Sequence, residues 1–166
     1  RRMALVGNSA GGNMALAAAL LAKKRHAPAV RALVLLWPVT SASSDWKSYA
    51  LYGGERFLTA PLMKWMFGKY VSDPAQRGND LMSPVRASAE RLRGLPPTLI
   101  AVAENDILRD EGEAMGRRLD EAGVETTTVR FNGVIHDWGM LNGFARLAPT
   151  RDLILFAAAV LRHRLR

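Results

Sequence analysis

The stretch MALVGNSAGGNM, residues 3–14, decides how this chain folds. Four apolar residues, Met3 to Val6, run into a serine surrounded by Gly7, Gly11 and Gly12. An alanine- and leucine-rich segment without proline follows as far as Lys24. This order reads as a short buried strand, a tight turn at Ser9 and a helix starting at Ala10. The basic residues Lys23, Lys24 and Arg25, with Pro28 behind them, mark the helix end.

The pattern repeats downstream. Arg31 to Trp37 is a second apolar run, closed by Pro38, and Thr98 to Ala103 is a third, entered through Pro96 and Pro97. Leu108, Gly112, Met115, Leu119 and Ala122 recur at helical spacing before Gly123. Glu125 to Phe131 reads as a fourth strand and Thr150 to Arg162 as a final helix. Asp110, with Glu113 three residues on, reads as the cap of the helix before Gly123. Strands alternating with helices in near-continuous apolar runs predict an α/β fold with a mostly parallel sheet of about four strands, helices on both faces. Residues 40–95 break the pattern. They hold no convincing strand, many aromatics and one expected helix, about Ala60 to Tyr70, and read as a helical and loop insertion rather than a separate domain.

Composition narrows the function. The chain has 166 residues, 49% of them hydrophobic, enough for one globular core. It contains no cysteine and three histidines, so thiolate chemistry is excluded and neither a metal centre nor a cofactor is expected. The net charge of +8 raises the question of nucleic acid. The excess is concentrated at Arg1-Arg2, at Lys23 to Arg25 and at Arg162 to Arg166, the last two near helix C-termini where cations complement the dipole. No basic stripe interleaved with aromatics exists, so nucleic acid is not an expected partner. No apolar run reaches the ~20 residues of a membrane-spanning helix.

A serine hydroxyl attacks a carbonyl only if a base takes its proton and the resulting oxyanion is stabilised. A strand-to-helix turn lifts the hydroxyl above the sheet beside the free N–H groups of the helix, and its crowding demands small neighbours. Gly7-Asn8-Ser9-Ala10-Gly11 fits that G-x-S-x-G pattern. Of the histidines, His26 and His163 lie in basic helix ends and read as solvated, whereas His136 follows the fourth strand. The segment Ala103 to Glu111 offers the orienting acid. Asp106, on the loop itself, is the candidate, with Glu104 as the alternative and Asp137 as a competing neighbour of His136. The order Ser9, Asp106, His136 places nucleophile, acid and base each past a separate strand.

These residues, with Gly12, Ser83-Pro84, Leu95-Pro96-Pro97-Thr98 and Asp106-Ile107-Leu108-Arg109-Asp110-Glu111-Gly112, resemble the hormone-sensitive-lipase-like branch of α/β-hydrolases, the bacterial carboxylesterases of the alpha/beta hydrolase fold-3 group. The resemblance covers essentially the whole chain. It implies a serine hydrolase acting on short-chain carboxylic esters through an acyl-enzyme, with Ser9 as nucleophile, Asp106 as acid, His136 as base and the Ala10 N–H as an oxyanion donor. The chain departs from the family's usual Asp at Asn8 and its usual Pro at Ile107. The family's His-Gly-Gly-Gly oxyanion loop, which normally lies upstream of the serine, is absent. The resemblance therefore implies that this is the C-terminal half of the fold, partnered by its N-terminal half or by a self-associating copy. The compartment stays open, with the cytoplasm favoured. Residues 40–95 would line the pocket for a small-molecule ester, with Trp37 and Trp138 as neighbours. A peptidase or amidase on the same fold and a non-catalytic fragment with an incomplete oxyanion hole are the competing readings.

Overall fold

The structure, a computed structural model, describes residues 2–28, 30–71 and 73–166, so Arg1 of the basic N-terminal pair lies outside it. Within them the apolar runs become one sheet in which β1 (Met3–Asn8), β2 (Val30–Leu36), β3 (Thr98–Asn105) and β4 (Thr126–Ile135) lie side by side in sequence order, all parallel. Each crossover carries helix: α1 (Ala10–Lys24) between β1 and β2, then α2 (Lys47–Tyr52), α3 (Ala60–Tyr70) and α4 (Ala89–Leu92) between β2 and β3, then α5 (Arg109–Glu121) before β4. The chain ends in α6 (Ala148–Arg164).

Strand alternation sorts the core into two layers. Leu33, Leu35, Ile100 and Val102 meet Leu16 and Leu20 of α1 and Met115 and Leu119 of α5. Their neighbours Val34, Leu36, Leu99 and Ala101 point the other way, towards α6, Trp37 and Trp138. Central strands buried on both faces explain why β2 and β3 are almost wholly apolar. The outer strands are less covered. Among the described residues β1 pairs only with β2, and Val6, on the α6 side of the sheet with its partner Val34, is exposed.

Three local expectations change. Residues 40–95 hold α2 and α4 and two 3-10 turns, Pro74–Gly78 and Pro84–Arg86, as well as the expected α3. These elements are too short for a periodicity to show. Strand β4 runs four residues past Phe131, through a bulge. Between the pairs Ala103–Phe131 and Asn105–Ile135, β3 advances two residues while β4 advances four, with Gly133 in a left-handed conformation at φ 74°. Asn132-Gly133, just past the expected strand end at Phe131, is thus the bulge itself. Lastly, Asp110 does not cap α5. Its carboxylate accepts from Ser48 N–H and from Arg109 Nε instead, and Glu113 pairs with Arg130.

Candidate active site

Ser9 sits at the end of β1 with φ 51° and ψ −121°, left-handed backbone that a serine adopts only when its surroundings enforce it. Those surroundings are specific. Ser9 N–H donates to Leu36 C=O at 3.0 Å, and Ser9 C=O accepts from Gly12 N–H at 3.0 Å and Val39 N–H at 3.1 Å. Two glycines permit the turn. A Cβ on Gly7 would lie 2.1 Å from the Gly11 carbonyl oxygen, and one on Gly12 would lie 2.6 Å from Pro38 Cβ. Gly11, the third small residue of the motif, has room for a side chain, since a Cβ there would lie 3.8 Å from Asn8 Oδ1. Ala10, whose N–H opens α1, is an exposed residue, and that N–H has no backbone acceptor among the described residues.

Asp106 and His136 follow β3 and β4 directly. Because Asn105 is the register partner of Ile135, the two residues after them leave adjacent strands at the same level. The β4 bulge is what produces that alignment. Asp106 and His136 are both buried, at 1% and 2% exposure. Asp106 divides its carboxylate between two tasks. Oδ1 accepts from Leu108 N–H at 2.9 Å, which holds the turn into α5, while Oδ2 lies 2.7 Å from His136 Nδ1. A carboxylate only accepts, so this contact assigns the ring hydrogen to Nδ1 and leaves Nε2 as the acceptor for Ser9 Oγ–H at 3.0 Å. The sequence candidates Ser9, Asp106 and His136 are thereby brought into one continuous hydrogen-bonded line. Glu104, the alternative acid, faces away and accepts from Gly133 N–H at 2.7 Å, holding the bulge. Asp137 lies 3.8 Å from His136 Nε2, beyond hydrogen-bond range. His26 and His163 are exposed.

Beside Ser9 opens a cavity of about 210 Å³ with Met63, Met66 and Phe67 of α3, Met14 of α1 and Val39 in its lining. Trp37 and Trp138, expected near the pocket, do not line it. Neither has exposed area, and their rings pack together at 4.4 Å beneath the His136 turn, Trp138 bordering only a separate void of about 60 Å³. Trp37 follows a strand buried on both faces, so its side chain enters the α6 layer rather than the pocket.

The sequence reading gives Glu111 no role of its own. It is completely buried, and its Oε1 accepts from Thr40 N–H at 2.6 Å and Ser41 N–H at 3.0 Å, clamping the segment that carries Val39. Burial pushes its carboxyl well above the ordinary carboxylate range, against the opposing pull of those two N–H groups, and the nearby Asp106 adds to the rise. Burial likewise raises the Tyr49 phenol, with smaller contributions from Glu111 and Asp106. The one signal for Glu111 was its place on the apolar stripe of α5, four residues before Met115.

Among the described residues no group of three or more His, Cys, Asp or Glu could hold a metal ion, and no helix is long and apolar enough to cross a membrane.

Comparison with known proteins agrees with the fold. A family model described as "alpha/beta hydrolase fold" matches residues 1–140. The chain is 34% identical over 164 residues to an ethyl acetate hydrolase of Pseudomonas putida, covering 98% of this chain and 51% of that protein. It is 37% identical over 136 residues to an arylesterase of Saccharolobus solfataricus, covering 81% and 44% respectively. Among solved structures, a thermostable esterase from Pseudomonas putida ECU1011 superposes with a TM-score of 0.95 at 46% identity, over 97% of this chain and 50% of that one. The chain spans about half the length of the curated relatives it matches.

Proposed function

Because this chain belongs to the alpha/beta hydrolase fold family, we propose that it hydrolyses carboxylic esters with Ser9 as nucleophile, His136 as general base and acid, and Asp106 as the orienting carboxylate. One observation carries the reading: the unbroken line from Asp106 Oδ2 through His136 to Ser9 Oγ, at 2.7 and 3.0 Å. The esterases among its relatives support the reaction class.

In the proposed reaction Ser9 Oγ attacks the ester carbonyl carbon as its proton moves to His136 Nε2. Asp106 Oδ2 accepts from Nδ1–H, fixes the tautomer and stabilises the imidazolium. The carbonyl oxygen becomes an oxyanion, towards which the free Ala10 N–H at the start of α1 contributes a donor. Collapse expels the alcohol, which takes the proton back from Nε2, and leaves an acyl group on Ser9. A water then attacks the acyl carbon as its proton moves to Nε2, the bond to Ser9 Oγ breaks, Oγ takes that proton back, and the acid is released. The N-terminal half of the fold would supply further oxyanion donors.

The cavity next to Ser9 supports short, apolar ester groups as substrates. Its 210 Å³ and its methionine-rich wall suit a few carbons better than a long chain. Residues 40–95 would in this way contribute specificity through α3.

The test pairs hydrolysis of p-nitrophenyl acetate with labelling by a fluorophosphonate in the full gene product. Ser9→Ala should abolish labelling and lower turnover by roughly 10³-fold or more while the circular dichroism spectrum stays parental. Octanoate or longer esters should turn over more slowly than acetate or butyrate. Parental turnover in Ser9→Ala would remove the nucleophile from the scheme.

A further inference from the structure

We propose that Asp137 is a positioning residue: one of its carboxylate oxygens pins the turn that presents His136 to Ser9. This rests on the roles given above to Ser9 and His136. The oxygen is Asp137 Oδ1. It accepts from Trp37 Nε1 at 2.6 Å and from Asn8 Nδ2 at 3.2 Å. The Asn8 amide is oriented without ambiguity, because a carboxylate cannot donate.

The two donors come from the ends of β1 and β2, while Asp137 follows β4, two places along the sheet from β2. A single oxygen therefore ties three strand ends together. It does so where the backbone is under strain. Five described non-glycine residues have positive φ, and three of them meet here: Ser9 at 51°, Trp37 at 37° and Asp137 at 60°. Non-glycine residues in that region persist where neighbouring contacts enforce them. For the His136 turn the backbone provides local closure, through Trp138 N–H to Ile135 C=O at 3.3 Å and Met140 N–H to Asp137 C=O at 2.8 Å. Those bonds shape the turn but do not orient it against β1 and β2. The Asp137 side chain does.

The surroundings agree with a pin. The turn is seated on the Trp37 ring so closely that a Cβ on Gly139 would lie 2.8 Å from Trp37 Cη2. The same ring stands edge-on to the His136 imidazole, with centroids 6.4 Å apart and planes at 70°. Asp106 holds the imidazole at Nδ1 only, a bond about which the ring could pivot. Fixing the backbone one residue further on removes that pivot and keeps Nε2 directed at Ser9 Oγ. Asp137 Oδ1 also faces Nε2 from 3.8 Å, close enough for its charge to be felt and too far to displace the serine. Two effects of Asp137 are thus separable, the hydrogen bonds and the charge.

Asp137→Asn keeps an oxygen for both donors and removes the charge. Asp137→Ala removes both. Two readouts are taken in the resting full gene product, labelled with ¹⁵N: the downfield Nδ1–H resonance of His136 and hydrogen exchange at the Trp37 indole N–H. Asp137→Ala should broaden the resonance and speed indole exchange, and should lower kcat about 10²-fold with little change in KM, the scale expected when a catalytic group is misplaced by about 1 Å. Asp137→Asn should keep a sharp resonance and slow exchange and lose only a small part of that rate. Asn8→Ala, which removes one donor and leaves the turn untouched, should give an intermediate ring signal even if Asp137→Ala does not fold. Parental ring signal and indole exchange in Asp137→Ala overturn the proposal. So does an Asp137→Asn variant as impaired as Asp137→Ala, which would assign the effect to charge alone. A protein without Ser9-dependent hydrolysis would sink the esterase reading, while the resonance and exchange data would still decide the role of Asp137.

Discussion

The carboxyl edge of the sheet and the segment from Thr40 to Leu95 meet at the cavity beside Ser9 and are built in opposite ways. At the sheet edge Ser9, Asp106 and His136 each follow a strand at once, and each is immobilised by named hydrogen bonds. The segment is a series of short helices and turns, held by a small cluster in which Met63 and Phe67 pack against Ile107 and Leu108. It leaves Leu51, Phe57, Trp65 and Tyr70 exposed. The difference teaches where precision is needed. Under the proposed reaction, proton transfer would tolerate errors of only a fraction of an ångström and its groups follow rigid strands, whereas a pocket wall would need only shape and can be made of short, variable elements.

The comparison breaks most sharply at Asp106. Asp106→Asn retains an oxygen for Leu108 N–H but offers an amide to His136 Nδ1 and favours the wrong tautomer. Turnover of p-nitrophenyl acetate should fall roughly 10³- to 10⁴-fold, with a Tm close to parental. Glu104→Gln, which keeps the oxygen facing Gly133, should leave turnover almost unchanged. Equal losses in the two variants would mean that the acid role has been misassigned.

A smaller effect tests the joint between the two regions, the buried Glu111 clamp. Its carboxyl is raised in the folded protein above the ordinary value of 4.5, so the folded state holds a proton that the unfolded state releases. Its contribution to stability is then complete below about 4.5 and is lost as pH climbs towards the raised folded value. Glu111→Gln cannot ionise and keeps an oxygen for Thr40 and Ser41. Urea denaturation from pH 5 to 9 should show the stability difference moving steadily in favour of the glutamine variant. A difference independent of pH would mean that Glu111 is charged in the fold.

The smallest effect belongs to the outer surface of the segment. Trp65 lies on α3 between Met63 and Phe67 but is 59% exposed. Trp65→Ala should change stability by less than about 0.5 kcal/mol, read as an unchanged denaturation midpoint. A larger loss would reveal that something covers this face of α3.

Much of this was legible in the sequence. The four apolar runs, α1, α3 and the order Ser9, Asp106, His136 each rest on local signals: periodicity, glycine and proline punctuation, and a polar residue just past an apolar strand. The bulge in β4 was not legible, because Asn132-Gly133 announces a turn equally well when the strand stops and when it continues. Of the side chains expected around the pocket, those of α3 reach the cavity beside Ser9, whereas Trp37 and Trp138 do not. Trp37 and Trp138 are aromatic residues close to the site along the chain, yet both are buried behind it. The cavity wall comes from α3, some fifty residues away from Ser9.

The sequence by itself determined where the four strands and the longer helices lie and which side chains could carry the proposed chemistry, since both follow from residue type and from neighbours within a turn or two. Tertiary structure alone decided which carboxylate meets which group. Asp106, Glu104, Asp110, Glu111 and Asp137 are chemically close to interchangeable as a string of acids. Their partners are the ring of His136, the N–H of Gly133, the N–H of Ser48, the N–H groups of Thr40 and Ser41, and the donors of Trp37 and Asn8. A side chain's role at this edge depends on which strand end arrives opposite it. That is set by register, and register by the packing of two faces of a sheet at once.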